Sequence, residues 1–143
     1  MENPYDSYDD YDYDYDYDYE EDHRYGHWMK SGNKWWFEYT DGSYPANTML
    51  DIEGNIHCFD SRGYMVTGWS NYDGLWRYYS SSGVMVTGWR QISGKWYYFE
   101  GSGAMAKGKW VGNYYLKDDG TMATNEWIGK YHVNDNGKWD KTK

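Results

Sequence analysis

The sequence predicts an all-β protein, an elongated β-hairpin solenoid of about six repeats of ~20 residues that follows a disordered acidic tail. Three observations favour this class. The chain holds 10 Trp and 19 Tyr but few branched aliphatic residues, so rings must supply most of the packing. Its 17 glycines indicate many tight turns. A motif of tryptophan, tyrosine and glycine also recurs along the chain.

The acidity of the chain is confined to its N-terminus. The formal net charge is −9, yet residues 1–27 hold eleven Asp and Glu against a single Arg. Residues 28–143 hold twelve acidic residues against thirteen Lys and Arg. We therefore divide the chain into an acidic tail, 1–27, and a nearly neutral repeat array, 28–143. A neutral array argues against nucleic acid as its partner, because phosphate binding needs a basic surface.

The tail is a low-complexity segment in which tyrosine and aspartate nearly alternate between Tyr5 and Tyr19. A strand of this sequence would align its aspartates on one face without counter-charges, so we expect disorder. Four interpretations stay open: an arm that binds cations or basic proteins, a site of tyrosine modification, a spacer, and a solvated segment without a partner.

The rest of the composition limits the classes further. A single cysteine, Cys58, excludes an intrachain disulfide. No apolar run reaches the ~18 residues of a membrane helix, so no span is expected. The acidic N-terminus does not resemble a secretory signal, which leaves the route of export open.

The array repeats with an offset of 20 residues in its clearest copies, which run from Gly68 to Met85 and from Gly88 to Met105. Two shorter copies follow them and two looser copies precede them. These four begin at Trp110, Trp127, Trp28 and Met49. The result is six units whose terminal members are atypical, as in a stacked array with caps.

Each unit predicts a β-hairpin. A first strand begins at the leading ring, a tight turn follows, and an aromatic second strand returns. Each turn contains a glycine, which readily adopts the positive φ that tight hairpins require. The predicted turns are Gly32-Asn33, Glu53-Gly54, Asp73-Gly74, Ser93-Gly94, Gly112-Asn113 and Gly129-Lys130. Because a lone hairpin is marginal in water, we expect stacking to cover the rings.

Strand alternation sends the rings of each second strand to two faces. In Trp96-Tyr97-Tyr98-Phe99, the tryptophan shares a face with Tyr98 while Tyr97 points the other way. Two tryptophans of one hairpin and one tyrosine of the next would then surround a groove. Such a groove attracts a quaternary ammonium through the ring quadrupoles, and apolar faces of sugars stack on the same rings. The alternative, that the rings serve only as the core, stays open.

The stretch from Gly88 to Gly108 reads Gly-Trp-x6-Trp-Tyr-Tyr-Phe-x3-Gly-x-Met-x-x-Gly and resembles a choline-binding, or cell-wall-binding, repeat. Trp35 to Pro45, taken with Phe59 to Met65, is similar to the start of the C-terminal module of streptococcal autolysin amidases. The resemblance covers about residues 28–139 and extends to glucan-binding and clostridial toxin repeats.

The resemblance implies two complete aromatic cages, each with a methionine nearby. The first would consist of Trp69, Trp76 and Tyr97, with Met85. The second would consist of Trp89, Trp96 and Tyr114, with Met105.

Three other sets depart from the family pattern. In the first, Trp28 and Trp35 face His57, whose protonated form would repel a cation. In the second, Met49, Ile56 and Arg77 cannot form a cage. In the third, Asn113 replaces a tryptophan, so Trp110 and Tyr131 are left as a two-ring weak site.

The sequence favours a non-catalytic module that binds choline of teichoic acids, or a similar cationic or sugar group, on a cell-wall polysaccharide. Two alternatives stay open: a glucan- or carbohydrate-binding repeat protein, and a structural or interaction protein whose tyrosine tail engages a partner. The four histidines lie in the tail or at positions that are aromatic in other repeats, so no catalytic residue, metal site or cofactor is expected. We expect a secreted or bacterial cell-surface location and leave a homodimer open.

Overall fold

Six antiparallel β-hairpins account for nearly all the strands of this computed structural model, which describes residues 25–143. The predicted all-β, hairpin-repeat class is confirmed. None of the described residues forms a helix long and apolar enough to cross a membrane. The strands are β1 Gly26–Ser31, β2 Lys34–Tyr39, β3 Thr48–Ile52, β4 Asn55–Phe59, β5 Gly68–Tyr72, β6 Leu75–Tyr79, β7 Gly88–Ile92, β8 Lys95–Phe99, β9 Lys109–Val111, β10 Tyr114–Leu116, β11 Glu126–Ile128, β12 Tyr131–Val133 and β13 Trp139–Thr142.

The predicted tight turns are confirmed by their backbone conformation. Ser93 and Gly94 have φ angles of 52° and 83°, and the Glu53-Gly54 and Asp73-Gly74 turns are alike. Positive φ at both central residues is typical of the turn whose twist matches a two-stranded hairpin. Across the Ser93-Gly94 turn, for example, Ile92 pairs with Lys95 and Gly88 pairs with Phe99.

The first hairpin begins earlier than the predicted boundary at Trp28. Gly26 and His27 pair with Tyr39 and Glu38, and the His27 imidazole lies 3.2 Å from the Glu38 carboxylate. The sequence places these two residues in the tail, but β2 is long enough to give them backbone partners. The rest of the predicted tail, residues 1–24, lies outside the described residues.

The described residues divide into two units, with the boundary between Val66 and Thr67. In the first unit, Phe37, Ile52 and Phe59 form a buried cluster. Four partly buried side chains pack against this cluster: Trp28, Tyr39, Leu50 and Met65.

In the second unit, each hairpin places the last residue of its second strand in the core. These residues are Tyr79, Phe99, Leu116 and Val133, and each is at most 1% exposed. The chain then turns and returns beside the buried residue. Phe99 bridges to Met105, Leu116 bridges to Met122, and Val133 pairs with Trp139 of β13. Apolar burial is thus shared along the repeats, as expected for a stacked array.

Contacts made by the end of each repeat help to join successive repeats of this unit. The Met122 amide donates to the Trp96 carbonyl oxygen at 2.9 Å, which ties the end of one repeat to the hairpin before it. The Met105 side chain lies against Gly120, where a Cβ atom would overlap the sulfur. Gly120 also has a φ of +89°, so both its conformation and its surroundings require glycine.

Candidate ligand-binding grooves

The first groove is formed by Trp69, Trp76 and Tyr97, which the structure brings together as predicted. The Trp69 ring lies 4.9 Å from the Tyr97 ring and 6.4 Å from the Trp76 ring, at interplanar angles of 69° and 81°. The Trp69 ring also lies 5.2 Å from the Tyr78 ring and 5.7 Å from the Phe99 ring, and these contacts orient the indole. Trp69 and Trp76 nonetheless keep 37% and 44% of their surface exposed, so both can contact a ligand.

The second groove is formed by Trp89, Trp96 and Tyr114, which line an open cavity of about 430 Å³. Met122 and Asn136 complete the lining. Trp89 lies 5.5 Å from Tyr114 at an angle of 72°. The rings are therefore neither scattered nor packed against one another without space, and no residue lining the cavity carries a formal charge.

The methionine of the second groove is Met122, whereas the sequence predicted Met105. The reason is the backbone link between repeats, in which the Met122 amide bonds to the Trp96 carbonyl. The Met105 amide makes the same bond, at 2.8 Å, to Trp76 of the first groove. Met85, predicted for the first groove, instead lies against Gly103. The methionine of the second groove is thus drawn from one repeat later than predicted.

In the set of the first unit, predicted as a weak site, one tryptophan packs against two other rings and the other lies near a lysine. Trp28 lies 4.9 Å from the ring of His57, which is buried, and 5.4 Å from Phe37. Trp35 is 40% exposed, but the Lys30 ammonium lies 5.4 Å from its ring centroid. An intramolecular cation thus already lies over the most accessible ring of this set.

The other predicted weak site, Trp110 and Tyr131, contains a third ring that sequence reasoning missed. Trp110 and Tyr131 lie 5.8 Å apart, and Tyr131 lies 5.8 Å from Trp139 as well. The signal was present in the sequence, since Gly137-Lys138-Trp139 aligns with Gly120-Thr121-Met122 and places Trp139 at the methionine position. Asn113, which replaces a tryptophan, accepts a hydrogen bond from the Trp139 amide at 2.8 Å.

Arg77 occupies the strand position that Tyr97 holds in the next repeat, but it is buried and engaged within its own unit. Its guanidinium donates to the carbonyl oxygens of Ser102 and Tyr72 at 3.0 and 3.3 Å. It also pairs with Asp73 at 3.1 Å. Arg77 therefore connects two turns, and the predicted lack of a cage at its set stays a prediction.

Two groups with shifted pKa values lie outside the grooves. Burial, followed by the charge of Asp41, raises the pKa of the Tyr39 phenol. The Thr121 hydroxyl and amide donate to the Asp119 carboxylate at 2.6 and 3.0 Å, and these bonds lower the pKa of Asp119. The charge of Asp119 thus stabilises a turn between repeats.

Comparison with known families agrees with this geometry. Residues 49–88 and 104–139 match choline-binding repeats, and residues 87–105 match a cell wall binding repeat. The array belongs to the choline-binding repeat family. The rings of the first and the second groove all lie within these matched repeats, and modules of this family bind ligands rather than catalyse reactions.

Solved structures of proteins with choline-binding repeats share the fold. Choline binding protein F from Streptococcus pneumoniae is 35% identical, with a TM-score of 0.74 over 82% of this chain and 41% of that chain. A structure of the same protein in complex with ipratropium gives the same identity and TM-score and is covered over 39% of its length. The Cpl-1 endolysin complexed with a peptidoglycan analogue is 37% identical, with a TM-score of 0.59 over 87% of this chain and 40% of that one.

The chain therefore spans about two fifths of the length of the solved proteins that it matches. No curated protein matches the chain by sequence.

Proposed function

We propose that this chain is a non-catalytic module that binds choline groups of teichoic acid at the bacterial cell surface, with the first and second grooves as its sites. The observation that carries the proposal is the second groove. Two indoles and a phenol surround a cavity of about 430 Å³ whose lining has no formal charge. A site of this kind attracts a quaternary ammonium through ring quadrupoles alone.

The expected affinity of a single groove is low. Each ring contributes about 0.5–2 kcal/mol, so three rings support binding in roughly the millimolar range. A polymer that carries many choline groups would engage both grooves at once, and the second contact would then be intramolecular. Two weak sites on one unit are therefore suited to a repetitive wall polymer.

The relatives support this ligand class. Choline binding protein F has been solved in complex with ipratropium, and the Cpl-1 endolysin with a peptidoglycan analogue. Ipratropium carries a quaternary ammonium, as choline does. The complex of the Cpl-1 endolysin with a peptidoglycan analogue makes a cell-wall glycan the alternative ligand to be tested.

Choline titration of the full chain, followed by tryptophan fluorescence and calorimetry, tests the proposal. We expect saturation in the millimolar range and loss of part of the signal in Trp89→Ala. Trp127→Ala is the matched control, because Trp127 leads the last hairpin and its ring already lies 4.9 Å from the Lys143 ammonium. Equal responses of both variants and wild type would contradict the assignment of the groove.

Dextran and a peptidoglycan oligosaccharide are titrated in parallel. Binding to either of them without a response to choline would favour carbohydrate recognition. If the protein responds to none of the three ligands, the aromatic residues have a structural role only.

A further inference from the structure

The second unit contains another cavity, of about 290 Å³, whose lining is polar and positively charged. We call it the Arg90 pocket, and its polar lining residues are Tyr78, Ser80, Arg90, Gln91 and Ser93. None of the described residues that line it is acidic. Three hydroxyls, an amide and a guanidinium therefore surround one cavity, and no carboxylate of the lining neutralises the guanidinium.

Backbone hydrogen bonds fix the walls of the Arg90 pocket. The Val86 amide donates to the Tyr78 carbonyl oxygen at 3.0 Å, and the Ser80 amide donates to the Val84 carbonyl oxygen at 2.9 Å. Val86 also lines the pocket and is buried, so it supplies an apolar floor. The opposite wall is the end of β7 with Ser93 in its tight turn. The cavity is therefore formed by ordered segments of two successive repeats.

The Arg90 pocket adjoins the first groove. Arg90 pairs with Tyr97 across its hairpin, and residues directly opposite in an antiparallel pair share a face. The Tyr97 ring lies 4.9 Å from the Trp69 ring of the first groove. Tyr78, which lines the pocket, lies 5.2 Å from the same indole. The pocket and the first groove thus share a face of the hairpin and have a ring contact between them.

Neither the repeat nor the fold explains the charge of Arg90. Within the part of the chain that the structure describes, the exposed Arg90 guanidinium takes part in no ion pair or hydrogen bond. Arg77, by contrast, is buried and donates to two carbonyl oxygens and a carboxylate. The residue that follows the leading residue is uncharged in the five other repeats: Met29, Leu50, Ser70, Val111 and Ile128. Arg90 is therefore available to an external anion.

We propose that the Arg90 pocket binds a phosphate ester of the same wall polymer whose choline groups occupy the grooves, an inference that rests on the function proposed above. A guanidinium pairs with two phosphate oxygens at once, and the surrounding hydroxyls supply further donors. A teichoic acid is linked by phosphodiesters, so the polymer that carries choline also carries this anion. Residues 67–143 hold seven Asp and Glu against ten Lys and Arg, so the unit as a whole attracts a polyanion.

Glycerol phosphate, a phosphate ester without an ammonium group, tests the pocket directly. It is titrated into nitrogen-labelled full-length protein, with glycerol as the control ligand. We expect the NMR signal of the Arg90 Nε–H to shift and saturate with glycerol phosphate, and the signal of the Trp96 indole N–H in the second groove to stay in place. Glycerol should move neither signal.

Binding to choline-bearing teichoic acid tests the source of the phosphate. Arg90→Gln should weaken this binding by about two- to five-fold at low salt, the equivalent of one exposed ion pair. Arg62→Gln is the matched control, because it removes the same charge from an exposed arginine outside the pocket, and it should leave binding unchanged. The difference between the two variants should disappear near ~1 M salt, where the charges are screened.

The outcomes separate this proposal from the function on which it rests. A choline response at Trp69 without a response of Arg90 to glycerol phosphate would overturn the pocket and leave the proposed function standing. An equal response to glycerol, or equal weakening by Arg90→Gln and Arg62→Gln, would also overturn the pocket. Absence of any choline response would overturn the proposed function, and with it the wall polymer as the source of the phosphate, even if glycerol phosphate still shifts Arg90.

Discussion

Replacing Trp96 by alanine should weaken binding while leaving the fold intact. Trp96 lines the second groove and is 41% exposed, so its ring is accessible to a ligand rather than buried in the core. Loss of one of three rings removes about 0.5–2 kcal/mol of cation attraction, which corresponds to a dissociation constant raised about 2- to 30-fold. The Trp96 carbonyl that anchors Met122 is a backbone group and survives the substitution.

Phe99 lies three residues further along the same strand and provides the opposite case. It is 1% exposed, so Phe99→Ala removes a buried ring and leaves a cavity. Such truncations cost about 3–5 kcal/mol of the free energy of unfolding. Comparing Trp96→Ala with Phe99→Ala therefore distinguishes a ring that binds ligand from a ring that stabilises the fold.

The assay measures both quantities on both variants. The NMR signal of the Trp89 indole N–H, followed in nitrogen-labelled protein, reports the choline dissociation constant of the second groove. Urea unfolding without ligand reports the free energy of unfolding. The reasoning would be refuted if Trp96→Ala kept the wild-type constant at Trp89. It would also be refuted if that variant lost as much stability as Phe99→Ala, since Trp96 would then be a core residue.

Three further predictions concern the contacts between repeats. Gly120→Ala should lower the free energy of unfolding, measured in urea, by about 1–3 kcal/mol, because a Cβ at positive φ would overlap Met105. Gly94→Ala is the control and should cost less, because Gly94 has a similar φ but open space around it. Arg77→Ala should cost about 1–3 kcal/mol in the same assay, because two carbonyl oxygens lose their donor. Asp119→Asn should lower the melting temperature at pH 7. Folding lowers the pKa of Asp119, so its stabilisation of the folded state is present above pH ~4 and is lost as the pH falls through the pKa of the folded state. The difference in melting temperature between the variant and wild type should therefore shrink in acid. A difference that grows in acid would contradict this role.

Local chemistry explains why much of the fold could be predicted. A pair such as Ser93-Gly94 sets its own turn, because the required φ angles depend on two residues alone. The offset of 20 residues then places Tyr97 of one hairpin near Trp69 of the previous one, and the structure brings the two rings to 4.9 Å. Hairpins, their order and the ring pairs between neighbours are thus encoded in short segments and their spacing.

The tertiary structure alone decided which distant residues complete each groove. Met122 reaches the second groove because its amide bonds back to Trp96. Trp139 comes within 5.8 Å of Tyr131 in the same way, because its amide bonds back to Asn113. The repeat pattern shows that Met122 and Trp139 hold equivalent positions, but it does not show which hairpin each side chain contacts. The place of the Lys130 ammonium over Tyr131 is likewise a side-chain conformation, which depends on the packed surroundings rather than on spacing along the chain.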